Sequence, residues 1–179
     1  MTVIETERLV LRPLRQSDLA TLAAVLNNFN ISMNTAHIPY PYALSDAEDF
    51  FTITRKCEPP SLLLSITRKS GGGIIGGVGY TAEPENHSAE LGYWLAEAEW
   101  GKGIGSEAAC AMVAHAFEIG RHPKLVASFH HGNTASGRIL AGLGFEPIDT
   151  AMNYSRAQGK DVPVTKLVLT REKWQGRST

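Results

Sequence analysis

Hydrophobic residues along this chain recur with two periods, and the switches between them mark its elements. Arg8-Leu-Val-Leu-Arg12 alternates and stops at Pro13, which predicts a first strand. Ser17-Asp18 then offers a helix cap, and Leu19, Leu22, Ala23 and Leu26 recur at helical spacing until Asn27-Asn28. Phe29 to Tyr42 follows neither period. It is rich in Asn, Pro and aromatic residues, so it reads as a long loop, either functional or simply packed on the core. Ser45-Asp-Ala-Glu48 has the form of a capping box, opening a helix to about Lys56 with Phe50 and Ile53 inward. After Pro59-Pro60 the alternation returns through Ser61 to Arg68, turns at Lys69 to Gly73, and resumes over Ile74 to Thr81. A polar turn, Ala82 to His87, leads to a third strand, Ala89 to Leu95. Its pattern puts Ala89, Leu91, Tyr93 and Leu95 on one face and Glu90, Gly92 and Trp94 on the other.

The longest helical pattern comes next and ends at Gly120. Ala109, Met112, Val113, Ala116 and Phe117 point inward with Cys110 as a small core residue, while Glu107, His115 and Glu118 point outward. Leu125 to His130 is a strand, and Asn133 caps a helix carrying Ile139, Leu140 and Leu143 that ends at Gly144. Phe145 to Pro147, Thr150 to Tyr154 and Val162 to Thr170 complete the strands, with a turn at Ala157 to Lys160. The order is β-α-α-β-β-β-α-β-α-β-β. Three consecutive strands favour an antiparallel meander, and the two later strand–helix–strand passages favour parallel crossovers. The fold class is therefore α/β: one three-layer α-β-α domain over residues 1–179, with a mixed, mostly antiparallel central sheet.

Composition narrows the function classes. Apolar residues at 43% and charged residues at 20% are ordinary for a globular chain, and a formal net charge of −1 gives no global field toward nucleic acid or anionic lipid. Two cysteines and six histidines show no metal-ligand spacing, so no metal site is expected. The N-terminus lacks a signal-peptide apolar block and no run reaches the length of a membrane span. The expectation is a cytoplasmic protein without membrane or nucleic-acid partners.

Two glycine clusters compete for a phosphate-binding role. Gly71-x-Gly73-x-x-Gly76 matches the dinucleotide fingerprint in its letters, but no helix follows it; these glycines suit a turn and close strand contacts instead. Gly101-Lys-Gly103-Ile-Gly105-Ser106 has the right context, with a strand before it and a helix after. Helix-start N–H groups, glycines without Cβ atoms and the charge of Lys102 make it a candidate pyrophosphate cradle.

Several motifs in this order resemble the GNAT-fold N-acetyltransferases. They are Gly101 to Gly105 between strand and helix, and the later Asn133-Thr-Ala-Ser136 with Leu143-Gly-Phe145. Thr6-Glu-Arg-Leu-Val-Leu-Arg-Pro13, Glu90-Leu-Gly-Tyr-Trp-Leu95 and Asn133-x-x-Ser136 are similar to the Rim-type branch, which includes ribosomal-protein N-terminal acetyltransferases. The resemblance implies acetyl-CoA as donor, with its pyrophosphate on Trp100, Gly101, Lys102, Gly103, Ile104, Gly105 and Ser106. Trp100 stands where the family's usual signature has Gln or Arg. Leu95 and Ala96 would hold the pantetheine through main-chain groups, an N–H near Leu95 would stabilise the oxyanion, and Asn133 would contact the coenzyme. Glu90 is the candidate base, or else a solvated or salt-bridged strand carboxylate. Ser136 is the candidate donor to the departing sulfur, or else a first-turn residue bonding to backbone; Tyr154 is a second option for that role.

The acceptor is less specified. Phe29 to Tyr42, with Asn34, His37 and Tyr40, and Ser155 to Asp161, beside Tyr154, are expected to line its site. A protein N-terminal α-amine leads, a small-molecule amine (antibiotic or metabolite) competes, and a non-catalytic acetyl-CoA-binding regulatory module is the third reading. A homodimer is an open option.

Overall fold

The computed structural model describes residues 2–177. Eight strands form one open sheet: β1 (Ile4–Glu5), β2 (Leu9–Arg12), β3 (Leu62–Arg68), β4 (Ile74–Glu83), β5 (Ser88–Leu95), β6 (Lys124–His130), β7 (Glu146–Ser155) and β8 (Lys160–Thr170). Their spatial order is β1-β2-β3-β4-β5-β6-β8-β7. Every neighbouring pair is antiparallel except β5–β6. The helices are α1 (Leu19–Leu26), α2 (Phe29–Ser32), α3 (Leu44–Lys56), α4 (Ile104–Glu118), α5 (Thr134–Gly142) and α6 (Arg171–Gln175).

Alternation along the strands decides what each face of the sheet packs against. Leu9, Leu11, Leu64, Ile66, Val78, Ala89, Leu91, Leu125, Ala127, Leu167 and Leu169 form one buried cluster with Ile104, Met112, Val113 and Phe117 of α4 and Leu140 of α5. The opposite face is covered over β4 and the end of β5 by a second cluster. It contains Leu19, Leu22 and Leu26 of α1, Ile31 of α2 and Ala47 of α3, with Ile74 and Trp94 beneath. The glycines at Gly71 and Gly72 make the β3–β4 turn at positive φ. A Cβ on Gly76 would stand 2.6 Å from the Trp94 carbonyl oxygen and 2.7 Å from Leu95 Cδ2. The fingerprint-like letters at Gly71 to Gly76 are thus a turn and close strand contacts.

Several details differ from the periodicity. The parallel crossover from β5 through α4 to β6 is as expected, but the next one skips a place, because β8 inserts between β6 and β7. The segment from Phe145 to Tyr154 is one strand, β7, with a bulge between Pro147 and Asp149. Among the strands and α-helices described, β1, α2 within the expected loop, and α6 are additional. The helix after that loop begins at Leu44, with the Asp46 carboxylate accepting from the Ala43 N–H at 2.8 Å, so Ser45 and Glu48 form no box. Its inward residues include Phe50 and Phe51, and Ile53 is exposed. Cys110 is exposed, because α4 buries 104–105, 108–109, 112–113 and 116–117, and Cys110 falls between those turns. No described helix is long and apolar enough to cross a membrane.

Candidate functional site

The sheet is open at its centre. β5 and β6 register only at Ala89↔Leu125 and Glu90↔Val126, whereas β5 stays paired with β4 as far as Gly76↔Leu95. Beyond Glu90 the two parallel strands part. The Ala96 N–H donates to the Ile75 carbonyl at 2.8 Å, toward β4. Because N–H groups alternate sides along a strand, the Leu95 N–H and the Tyr93 N–H and C=O point the other way, into the gap. This is an edge shaped for an extended ligand. Ala96 N–H is therefore committed to the sheet, and the Leu95 N–H is the one that faces the opening. Trp100 folds back to the gap's mouth, its indole N–H donating to the Leu95 carbonyl at 3.0 Å.

Past Trp100 the chain turns through Gly101 and Gly103, at φ +73° and +75°. Gly103 is the N-cap of α4, and Ile104 opens the helix. A side chain at Gly101 would meet nothing within 4 Å, so its surroundings are open to a ligand. Gly105 serves a different purpose: a Cβ there would stand 3.1 Å from Ile139 Cδ1 and 3.2 Å from Leu95 Cδ1, so its bareness lets α4 approach α5 and β5. Ser106 is exposed in the first turn. The Lys102 ammonium lies 3.4 Å from a Glu99 carboxylate oxygen, and Arg68 binds the same carboxylate, holding it below the usual range. Lys102 therefore leans toward Glu99 on the surface.

On the α4–α5 side of the gap, Ser136 and Tyr93 meet. Their hydroxyl oxygens are 2.9 Å apart, and the Asn133 side chain caps α5 by accepting from the Ser136 N–H at 3.1 Å. Burial pushes the Tyr93 phenol up to about 12, against the opposing effect of the Ser136 hydrogen bond. Glu90 stands on the other face of β5. Part of it reaches solvent, yet the protein packed around it and the nearby Glu83 raise its pKa; His37 and Lys166 pull the other way. Glu90 is exposed and has no direct ion-pair partner among the described residues, so the salt-bridged reading does not apply to it, while the solvated one stands beside its reading as the base.

The two segments expected beside the acceptor do meet. Arg156 N–H donates to the Ala36 carbonyl at 3.1 Å and its guanidinium to the His37 carbonyl at 3.3 Å, while the Gln158 amide reaches the Met33 carbonyl at 3.0 Å. Beneath them the buried His130 Nδ1–H donates to that same Met33 carbonyl at 2.9 Å, tying the loop to the end of β6. His37 is exposed in this loop. Asn34 spends its amide on the Asn30 carbonyl at 2.8 Å, and Tyr40 packs edge-on against Phe29 with ring centres 5.3 Å apart. Tyr154 is not brought to Ser136: it is 58% exposed on β7, and β8 separates that strand from β6. Among the described residues no group of three or more His, Cys, Asp or Glu side chains is placed to hold a metal ion.

Two participants escape a sequence reading. Tyr93 falls in the inward phase of its strand and looks like core until α5 is placed over it. The second is Arg8, which reaches from just before β2 to the glycine turn and donates to the Lys102 carbonyl at 2.9 Å. Glu107, expected outward, turns back to meet it.

Comparison with known proteins gives a consistent result. A family model described as "Acetyltransferase (GNAT) domain" matches residues 8–146. The chain is 27% identical to the uncharacterized N-acetyltransferase p20 of Bacillus licheniformis over 179 residues, covering 98% of this chain and all of that one. It is 34% identical to the ribosomal-protein-serine acetyltransferase of Escherichia coli (strain K12) over 73 residues, 40% of this chain and 41% of that one. Among solved structures it is similar in fold to RimL, a ribosomal L7/L12 α-N-protein acetyltransferase in complex with coenzyme A. That match has a TM-score of 0.82 at 19% identity, covering 96% of this chain and 99% of the other.

Proposed function

From the premise that the chain belongs to the acetyltransferase (GNAT) domain family, we propose that its acceptor is a protein N-terminal α-amine. The chain is an acetyl-CoA-dependent N-acetyltransferase. The same reading takes residues 1–179 as one N-acetyltransferase domain. The observation that carries it is the gap between β5 and β6, which opens toward Tyr93 and Ser136 on one face and toward Glu90 and His37 on the other. A donor lying in the gap from one side meets an amine entering from the other. The acceptor class is supported by the two relatives whose names place their acetyl groups on ribosomal proteins.

In this mechanism the pantetheine of acetyl-CoA takes the place β6 has left, bonded to the Tyr93 and Leu95 main chain, and Asn133 lies at the start of α5 beside it. The pyrophosphate rests on the turn from Trp100 to Ser106, on N–H groups at the start of α4. Glu90, acting through water, removes a proton from the incoming ammonium; a carboxylate with a raised pKa is the better base for that step. The amine lone pair attacks the thioester carbonyl carbon, and the oxygen takes the displaced electron pair opposite the Leu95 N–H. Collapse breaks the C–S bond, and sulfur leaves as thiolate against the Ser136 hydroxyl. The second nitrogen proton is the one that sulfur gains, so amide and free thiol are the products. Tyr93, donating to Ser136, leaves the serine proton to point at sulfur.

Free-thiol release measured with peptides of varied N-terminal residue, beside small primary amines, tests this reading. Turnover with peptides exceeding that with every small amine is expected. Preference for a small amine refutes the acceptor class. Acetyl-CoA binding with no transfer to any amine leaves only a binding module.

A further inference from the structure

The turn that faces the coenzyme is intrinsically loose. Gly101 and Gly103, both at positive φ, flank Lys102, and glycine loses more conformational freedom than any other residue when fixed. Something must hold this Gly-Lys-Gly segment in one shape at the start of α4. The hold comes from a strand far away in sequence.

Glu107, in the first turn of α4, accepts three hydrogen bonds from the chain leading into β2. They come from the Thr6 hydroxyl at 2.5 Å, the Arg8 N–H at 2.8 Å and the Arg8 Nε–H at 2.6 Å. Thr6 is itself fixed, since its oxygen accepts from the Leu9 N–H at 3.1 Å. Burial alone would raise the Glu107 pKa, but these donors outweigh it and hold the carboxylate ionised. With Nε anchored, Arg8 extends along the turn. Its Nη1 donates to the Lys102 carbonyl at 2.9 Å, between the two glycines, and Nη2 stands 3.3 Å from where a Gly103 side chain would begin. A planar guanidinium can tie a carboxylate and a carbonyl at fixed separation; an ammonium cannot.

Resting on the coenzyme placement above, we propose that Arg8 is a positioning residue of the coenzyme site. Held by Glu107 and Thr6, it locks the Lys102–Gly103 backbone so that the turn is preorganised for the pyrophosphate of acetyl-CoA. The fixed cation beside the cradle is then Arg8, while Lys102 pairs with Glu99. Preorganisation of this kind improves affinity by removing an ordering cost at the moment of binding.

The test compares acetyl-CoA with S-acetylpantetheine, which has the same thioester and arm but no pyrophosphate, in wild type, Arg8→Ala, Arg8→Lys and Glu107→Gln. Calorimetric affinity for acetyl-CoA is measured on the same preparations. Charge-assisted hydrogen bonds of this kind set the scale. Arg8→Ala is expected to lower the ratio of kcat/KM for acetyl-CoA over S-acetylpantetheine about tenfold and to weaken acetyl-CoA binding comparably. Arg8→Lys recovers only part of this, and Glu107→Gln moves in the same direction. A ratio unchanged in Arg8→Ala, or an equal fall for both donors, overturns the proposal, since a purely structural tether would affect both alike. If the wild type binds acetyl-CoA but acetylates nothing, the reading of function falls while calorimetry on Arg8→Ala still decides this one.

Discussion

Replacing Tyr93 by phenylalanine removes a single oxygen and keeps the ring where it packs between β5 and α5. Its effect therefore isolates the hydroxyl that lies 2.9 Å from Ser136. In the resting protein that bond joins two neutral groups and is worth about 1 kcal/mol, so the variant should fold and melt only a few degrees lower. In the proposed mechanism the Tyr93–Ser136 pair ends on a thiolate at the point of C–S cleavage, and hydrogen bonds to charged groups are worth about 1.5–3 kcal/mol. Loss of that support corresponds to a fall in kcat of roughly 10- to 150-fold. The Tyr93 pKa of about 12 keeps its proton in place through any ordinary assay, so the loss should be flat across pH. Steady-state thiol release gives kcat, and calorimetry gives acetyl-CoA affinity, which should hardly move. Adding Ser136→Ala should cost little more, because the two hydroxyls act as one unit. A Tyr93→Phe kcat within twofold of wild type, or additive losses in the double variant, would refute the pairing as part of the chemistry.

Glu90→Gln should cut turnover most below the pKa of the acceptor amine, and an unchanged pH–rate profile would remove Glu90 as the base. The same change should raise thermal stability at neutral pH. The folded state favours protonated Glu90, so its stabilising contribution is full below the ordinary carboxylate pKa and lost as pH rises through the raised native value. Gly103→Val forces a branched side chain into positive φ beside Arg8 and should weaken acetyl-CoA binding; wild-type affinity by calorimetry would rule out the cradle. Asp18→Asn breaks a largely buried two-bond pair with Arg12, at 2.7 and 2.9 Å, and should cost about 3 kcal/mol in denaturant unfolding. Burial opposes ionisation of Asp18, but Arg12 and the Arg15 N–H win, so its pKa is lowered. That contribution is present above the ordinary carboxylate pKa and fades as pH falls through the native value, so wild type and variant should converge in acid.

What the sequence made legible follows the strength of each local signal. The alternation of Ala89, Leu91, Tyr93 and Leu95 against Glu90, Gly92 and Trp94 is clean, and both hydrophobic clusters respect it. The turn at Gly101 to Gly105 is recognisable because strand, glycines and helix come in one order. The misplacement of Cys110 has the opposite cause: α4 is so rich in alanine that several helical phases look equally apolar. Ile53 failed likewise, since Phe50, Phe51 and Ile53 satisfy two competing faces. Insertion of β8 between β6 and β7 leaves no local mark at all, because both orders use the same strands. The link from Arg8 to Glu107 joins positions 99 apart, and only the folded sheet brings them together. Tyr93 was legible as an inward residue, but its hydroxyl acquires a role only once Ser136 is set opposite.

The parting of β5 from β6 has a consequence for how the molecule holds together. The sheet is stitched across that seam by two registered positions, compared with eight between β4 and β5. With the pantetheine placed as proposed, a donor whose arm bonds along the seam would repair it, and the enzyme's own co-substrate would become a strut between its N-terminal and C-terminal halves. Stability should then climb with the logarithm of acetyl-CoA concentration above its dissociation constant. The amide hydrogens of Tyr93 and Leu95 should exchange quickly in the free protein and slowly in the complex. A cell depleted of acetyl-CoA would thereby hold a softer population of this enzyme, one that opens more often along a single line.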